Sequence, residues 1–134
     1  AVPTVNNIGC IYAESGDPLG YWNIPIYPPQ GATLTKLQVY VYDASETANS
    51  TAGFGILDQY GNIINGIAAD SSGNSGNSFF EVTLPNYLVD YSTYSYILWW
   101  KPNEIGTNMK ICAFRITYTP PGSSIFLPSI LNGN

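Results

Sequence analysis

The sequence predicts an all-β protein: an antiparallel two-sheet β-sandwich, jelly-roll-like, with about eight strands plus a C-terminal tail strand. Two observations lead to this fold class. Tyr, Val, Ile, Thr, Phe and Trp are frequent, and apolar residues do not follow a sustained helical spacing. Clusters of Gly, Pro, Asn, Asp and Ser also recur at short intervals, as they do between the strands of sandwiches and barrels.

Each predicted strand lies between two such clusters. We predict strands at 8–13, 21–27, 33–43, 52–59, 63–69, 78–84, 93–100 and 108–118, with 85–90 as a connection. In 33–43 the residues alternate, so Leu37, Val39 and Val41 should face the core. Pro25 lacks an amide donor and predicts an edge or broken strand. Residues 58–62 predict a tight hairpin.

The composition indicates one folded domain with few charges. The chain has 134 residues, of which 45% are hydrophobic and 10% charged, against about 25% charged in an average soluble domain. A net charge of −5 leaves no basic surface for a phosphate backbone, which excludes nucleic acid as a partner. No apolar run reaches the roughly 20 residues of a membrane span.

The two cysteines predict a Cys10–Cys112 disulfide, because the Tyr-, Asn-, Ser- and Thr-rich, Lys-poor composition is typical of extracellular proteins. The alternative is two buried free thiols in a cytosolic protein. The bridge would join the first predicted strand to the last long one, either side by side in a sheet or across the core. The start at Ala1 without a Met is expected after removal of a signal peptide, and equally after trimming.

Several short motifs occur in a familiar order. They are Gly9-Cys10-Ile11-Tyr12-Ala13, Pro28-Pro29-Gln30-Gly31-Ala32-Thr33-Leu34-Thr35, Val39-Tyr40-Val41-Tyr42-Asp43, Tyr94-Ser95-Tyr96 and Arg115-Ile116-Thr117-Tyr118. Over residues 8–119 this order resembles a family of bacterial secreted β-sandwich domains of unknown function. The resemblance implies the fold and secretion. It implies no catalytic residues.

The predicted domain organisation is a β-sandwich at 1–119, followed by a Pro/Gly hinge and an apolar tail strand at 120–134. The apolar residues of the tail are Ile125, Phe126, Leu127, Ile130 and Leu131. This segment resembles the FLP-type tails of secreted proteins from thermophilic filamentous bacteria. Three roles are open: addition as a strand to a neighbouring molecule, packing as a ninth strand on its own sandwich, or a removable or anchoring tail.

The sequence offers little support for a catalytic activity. The absence of histidine excludes a Ser-His-Asp triad, a Cys-His pair and an imidazole metal site. A glycosidase needs two carboxylates at a defined separation, whereas most of the nine acids fall at turns. We therefore expect no enzyme activity, no cofactor and no metal. Asp43, Asp70 and Asp90 are the weak candidates for a hard-cation site.

Aromatic and amide residues suggest contacts with sugars. Trp99 and Trp100 are adjacent on a strand and should point to opposite faces, one to the core and one outward. Trp22 and Trp100 are the candidate sugar-stacking residues, with core packing as the alternative. Asn49 begins an N-x-[ST] sequence in a polar loop and is a candidate glycosylation site.

These features lead to a functional expectation. We expect a non-enzymatic structural protein, secreted to the extracellular space or cell surface. It would assemble with its own copies into a filament or surface array, by β-strand addition of the tail or an edge strand. The alternative is a secreted carbohydrate-binding or adhesive module that uses exposed Trp and Tyr to bind glycans.

Overall fold

The computed structural model describes residues 3–5, 9–14, 20–73 and 76–122, with side chains from residue 9 onward. These residues contain nine strands and no helix. The strands are β1 (Pro3–Val5), β2 (Ile11–Ala13), β3 (Trp22–Ile26), β4 (Thr33–Asp43), β5 (Thr51–Leu57), β6 (Ile63–Asp70), β7 (Gly76–Leu88), β8 (Ser95–Lys101) and β9 (Met109–Thr119).

The strands form two antiparallel sheets. The five-stranded sheet has the order β1-β2-β9-β4-β7, and the four-stranded sheet has the order β3-β8-β5-β6. From β2 to β9 the chain alternates between the sheets, except that β5 and β6 are consecutive in the same sheet. This is the strand order of a jelly roll, with β1 added at one edge. The predicted fold class is therefore confirmed.

The hydrophobic core lies between the sheets and follows the predicted alternation of β4. Leu37, Val39 and Val41 are all buried. From the four-stranded sheet the largest buried side chains are those of Phe54, Tyr96 and Trp100, and the Phe54 and Tyr96 rings stack with centroids 6.0 Å apart. Such alternation puts one side of each sheet in the core and leaves the other side facing outward.

The structure differs from the sequence prediction at β1 and β7. The short strand β1 was not predicted, and β7 continues to Leu88 where a connection was expected from Pro85 onward. Lys36 pairs with Thr83, but Leu34 pairs with Tyr87, so β7 bulges at residues 84–86. Because β7 is an edge strand, a proline inside it removes no hydrogen bond that a neighbouring strand needs.

The Cys10–Cys112 disulfide is confirmed, and it joins neighbouring strands of the five-stranded sheet. Ile11 pairs with Ile111, so the two cysteines lie opposite each other, with Cα atoms 4.1 Å apart. Cys112 is also the extra residue of a bulge in β9 against β4. The bridge closes a loop of 102 residues, worth about 4 to 5 kcal/mol in the chain-entropy model. A disulfide is compatible with an extracellular location.

The C-terminal tail is the part of the sequence prediction on which the structure gives no information. Strand β9 ends at Thr119, and the described chain continues to Gly122. The tail residues Ile125, Phe126, Leu127, Ile130 and Leu131 lie outside the described residues. The predicted tail strand therefore stays a prediction.

Candidate functional site

The outer face of the four-stranded sheet contains a groove that originates in strand β5. Residues 53 and 55 point outward from β5 and both are glycine, and Gly66 of β6 lies opposite Gly55. Side chains of β8 cover both outward positions of β5, because Trp99 lies over Gly53 and Ile97 lies over Gly55, whereas Gly66 is exposed. The resulting groove has a volume of about 520 Å³. Tyr21, Asn23 and Trp99 line one side, and residues 63–68 of β6 line the other.

Trp99 reaches this face because β8 alternates. Its neighbours Leu98 and Trp100 are buried in the core, so Trp99 points outward, opposite Gly53 of β5. A Cβ atom on Gly53 would lie 2.7 Å from Trp99 Cζ2, which shows that the indole lies over the glycine. Tyr21 meets the indole edge-on, with centroids 5.3 Å apart and planes at 75°. The two rings form an aromatic wall beside the groove.

The predicted sugar-stacking residues need correction. Trp100 is only 1% exposed and is part of the core, so its ring is not accessible to a ligand. Trp22 pairs with Trp100 across β3 and β8, and its half-buried side chain packs against the same core. The outward tryptophan is Trp99. The sequence does not decide this choice, because Tyr96, Leu98 and Trp100 share one face of the strand while Ile97 and Trp99 make the opposite face apolar as well.

Strand β6 forms a sheet edge beside the groove, and no described strand pairs with its outer side; we call this the free edge of β6. The Ser71 amide donates to the Ser50 carbonyl at 2.8 Å, which places residue 71 in a hydrogen-bonded pair with β5. Since such pairs alternate along an antiparallel ladder, the backbone groups of Gly66, Ala68 and Asp70 point away from β5. The Gly66 amide donates to Asn65 Oδ1 at 2.8 Å, which agrees with an amide that points away from β5.

The four sheet edges are protected to different degrees. Strands β1, β3 and β7 each contain a proline, namely Pro3, Pro25 and Pro85. The predicted edge position of the Pro25 strand is thereby confirmed. Strand β6 has no proline, and Asp70 at its end is its one charged residue. It carries a bulge at Ile64, but Asn65 to Asp70 pair regularly with β5. Proline and charge are common protections against edge pairing, and β6 has little of either.

The acidic residues considered for a cation do not meet. Asp43 is buried and accepts hydrogen bonds from the Ser45 amide, at 3.1 Å, and from the Ser71 hydroxyl. Asp70 accepts a bond from the Thr51 hydroxyl at 2.7 Å. Asp90 lies near the opposite end of β4, because Leu88 pairs with the first residue of that strand.

Asp90 has the role of a turn residue. Hydrogen bonds from the Ser92 hydroxyl and amide lower the pKa of the Asp90 carboxyl. In the hairpin before β6, the Asn62 amide has the same effect on the pKa of Asp58. Within the part of the chain that the structure describes, no three acidic or cysteine residues are grouped to hold a metal ion.

Asn49 is exposed and lies before β5. Its backbone carbonyl accepts a hydrogen bond from Asn103 Nδ2 at 2.6 Å. Ser50 is fully buried, and the hydroxyl of Thr51, the third residue of the N-x-[ST] sequence, donates to Asp70. Glycosylation at Asn49 stays a prediction.

Comparisons with protein-family models, curated proteins and solved structures find no match to this chain. The described residues include no helix long and apolar enough to cross a membrane. The outer face of the four-stranded sheet and its β6 edge are therefore interpreted from their own geometry.

Proposed function

We propose that the protein is a non-enzymatic extracellular structural subunit that assembles with its own copies. In this proposal a strand from one molecule adds to the free edge of β6 in the next, and repetition produces a filament or surface array. The observation that supports it best is the contrast among the sheet edges: three contain a proline, and β6 does not.

The β6 edge offers both hydrogen bonds and apolar surface to an added strand. Gly66, Ala68 and Asp70 direct their backbone groups outward, and the Gly66 amide already donates to Asn65 Oδ1. Each hydrogen bond that an added strand makes to the other outward groups would contribute about 0.5–1.5 kcal/mol. Ile63 and Ile64, at the start of the strand, are 62% and 51% exposed. Covering them would remove apolar surface from water, which favours association.

The C-terminal tail is the donor strand in this proposal. Its sequence alternates little but is strongly apolar at Ile125 to Leu127, and the Pro120-Pro121-Gly122 segment separates it from β9. A tail that adds to another copy makes a head-to-tail contact, which does not close unless the rotation forms a ring. Pairing of β6 with β6 would instead be symmetric and would stop at a dimer.

The extracellular setting is supported by the disulfide and by the low-charge composition. The non-enzymatic role is supported by the absence of histidine from the sequence and by the hydrogen bonds that Asp43, Asp58, Asp70 and Asp90 accept.

The test is an Ala68→Pro variant. Ala68 is exposed, and its amide points away from β5, so proline removes a donor from the free edge while the β5–β6 ladder keeps its hydrogen bonds. Ala68→Ser keeps the amide and is the matched control. We expect filaments of the wild type and of Ala68→Ser in negative-stain microscopy, and monomers of Ala68→Pro in analytical ultracentrifugation.

Two further results decide the proposal. Deletion of residues 123–134 should give a monomer with an unchanged circular dichroism spectrum, because the described sandwich is left intact. Filaments of Ala68→Pro that match the wild type would rule out the β6 edge as acceptor, and dimers of the tail deletion would indicate β6–β6 pairing instead.

A further inference from the structure

We infer that the groove on the outer face of the four-stranded sheet binds a neutral saccharide. The groove shares Ile63 and Ile64 of β6 with the proposed assembly contact, but its aromatic wall and Asn23 lie on the opposite side, away from that contact. The inference depends on three properties of the groove: its aromatic wall, its amide side chains and the exposed Gly66.

The aromatic wall provides a flat apolar surface. The Trp99 indole lies over Gly53 on the outer face of the sheet, and the Trp99 side chain is partly exposed. Tyr21 stands edge-on beside it and is 61% exposed. A pyranose ring presents a face of C–H groups. Such a face packs against an exposed aromatic ring through apolar contact, which requires no charge on the ligand.

The polar groups of the groove are amides. Asn23 is exposed, and its side chain has no hydrogen-bond partner among the described residues. Asn65 accepts the Gly66 amide through Oδ1, which leaves its Nδ2 available as a donor. An amide side chain both donates and accepts, so it suits a ligand whose hydroxyl groups do the same.

Charge and size narrow the ligand class. None of the described residues that line the groove is charged, and the net charge of −5 repels an anionic ligand at long range. A cation lies beside the groove: Lys101 Nζ is 5.6 Å from the centroid of the Tyr21 ring, which it contacts as a cation–π pair. The volume of about 520 Å³ is within the roughly 300–1,000 Å³ of small-molecule sites. A neutral, polyhydroxylated ring with one apolar face fits these conditions.

The glycines allow close approach to the sheet. Trp99 and Ile97 occupy the space above Gly53 and Gly55, and the exposed Gly66 of β6 lines the groove beside them. Close approach to the backbone is one of the uses of glycine within a strand.

The experiment is isothermal titration calorimetry with the full chain and four neutral hexasaccharides, built from glucose, xylose, mannose or N-acetylglucosamine. At least one should bind the wild type. Trp99→Ala should weaken that binding at least tenfold, which corresponds to about 1.4 kcal/mol. Asn23→Ala, at an exposed position, should weaken it severalfold. Phe79→Ala is the matched control, an exposed aromatic residue on the other sheet, and should bind like the wild type.

The outcomes are decisive in either direction. Failure of all four hexasaccharides to bind, or equal binding by the wild type, Trp99→Ala and Asn23→Ala, would overturn the inference. Tighter binding of a uronic-acid hexasaccharide than of any neutral one would overturn the inference that the ligand is neutral. Trp99 and Asn23 lie away from the free edge of β6, so these variants should assemble like the wild type, and the two proposals fail independently.

Discussion

The two outer faces of the sandwich are built differently. On the five-stranded sheet, long side chains cover the strands and contact one another. Tyr40 and Phe79 stack with centroids 5.4 Å apart, Arg115 lies 5.6 Å from the Tyr40 ring, and Lys110 Nζ lies 4.8 Å from the Tyr42 ring. Three of the four cationic side chains of the chain, those of Lys36, Lys110 and Arg115, belong to this sheet.

The four-stranded sheet has glycines at its centre instead. Trp99 and Ile97 of β8 lie directly over Gly53 and Gly55 of β5, and the neighbouring Gly66 of β6 is exposed. The sheet also ends in the one edge strand without a proline. Because the two sheets share one core, stability alone does not require this difference. In both proposals the four-stranded sheet is the side that contacts ligands and other copies.

Among the variants that test this contrast, Gly53→Ala is expected to change the free energy of unfolding most. A Cβ atom there would lie 2.5 Å from the Ile67 carbonyl oxygen as well as against Trp99, and the backbone has little room to move. We expect the free energy of unfolding to fall by about 2–3 kcal/mol, the upper range for overpacking. Urea denaturation measures this change in the free energy of unfolding. Thr83→Ala, at an exposed position of β7, is the control and should change it by less than about 0.5 kcal/mol.

A smaller effect is expected from the aromatic pair of the five-stranded sheet. A double-mutant cycle with Tyr40→Ala and Phe79→Ala should give a coupling free energy of about 0.5–1.5 kcal/mol, because the rings stack on adjacent strands. The same cycle with Tyr40→Ala and Thr83→Ala should give none. Additive effects of the aromatic pair would contradict the description of this face as one of mutually stabilising side chains.

The sequence predicts most of the fold because local signals determine it. The alternation of Leu37, Val39 and Val41 locates the core face of β4, and Pro25 indicates an edge strand. The two cysteines of the sequence also predict the disulfide that joins them. The extension of β7 through Pro85 was not predictable, because a proline is tolerated there only at a sheet edge, and edge position depends on the order of all the strands.

The candidate site is less accessible to prediction than the fold. The groove requires Gly55 and Gly66 to lie opposite each other, and that depends on the register of two strands. The choice of Trp99 over Trp100 depends on which face of β8 meets the core. The tail residues are apparent in the sequence, whereas their acceptor edge appears only once the strand order is known.

The most direct test of the central claim is amide hydrogen exchange in β6, compared between dilute monomer and assembled protein. The amides of Ala68 and Asp70 point to the free edge and should exchange quickly in the monomer. In the assembly, strand addition should slow both by at least about tenfold, while the Gly61 amide, which donates to the Asp58 carbonyl within the hairpin turn, should exchange at the same rate in both states. Equal exchange of Ala68 and Asp70 in the two states would contradict assembly through the β6 edge.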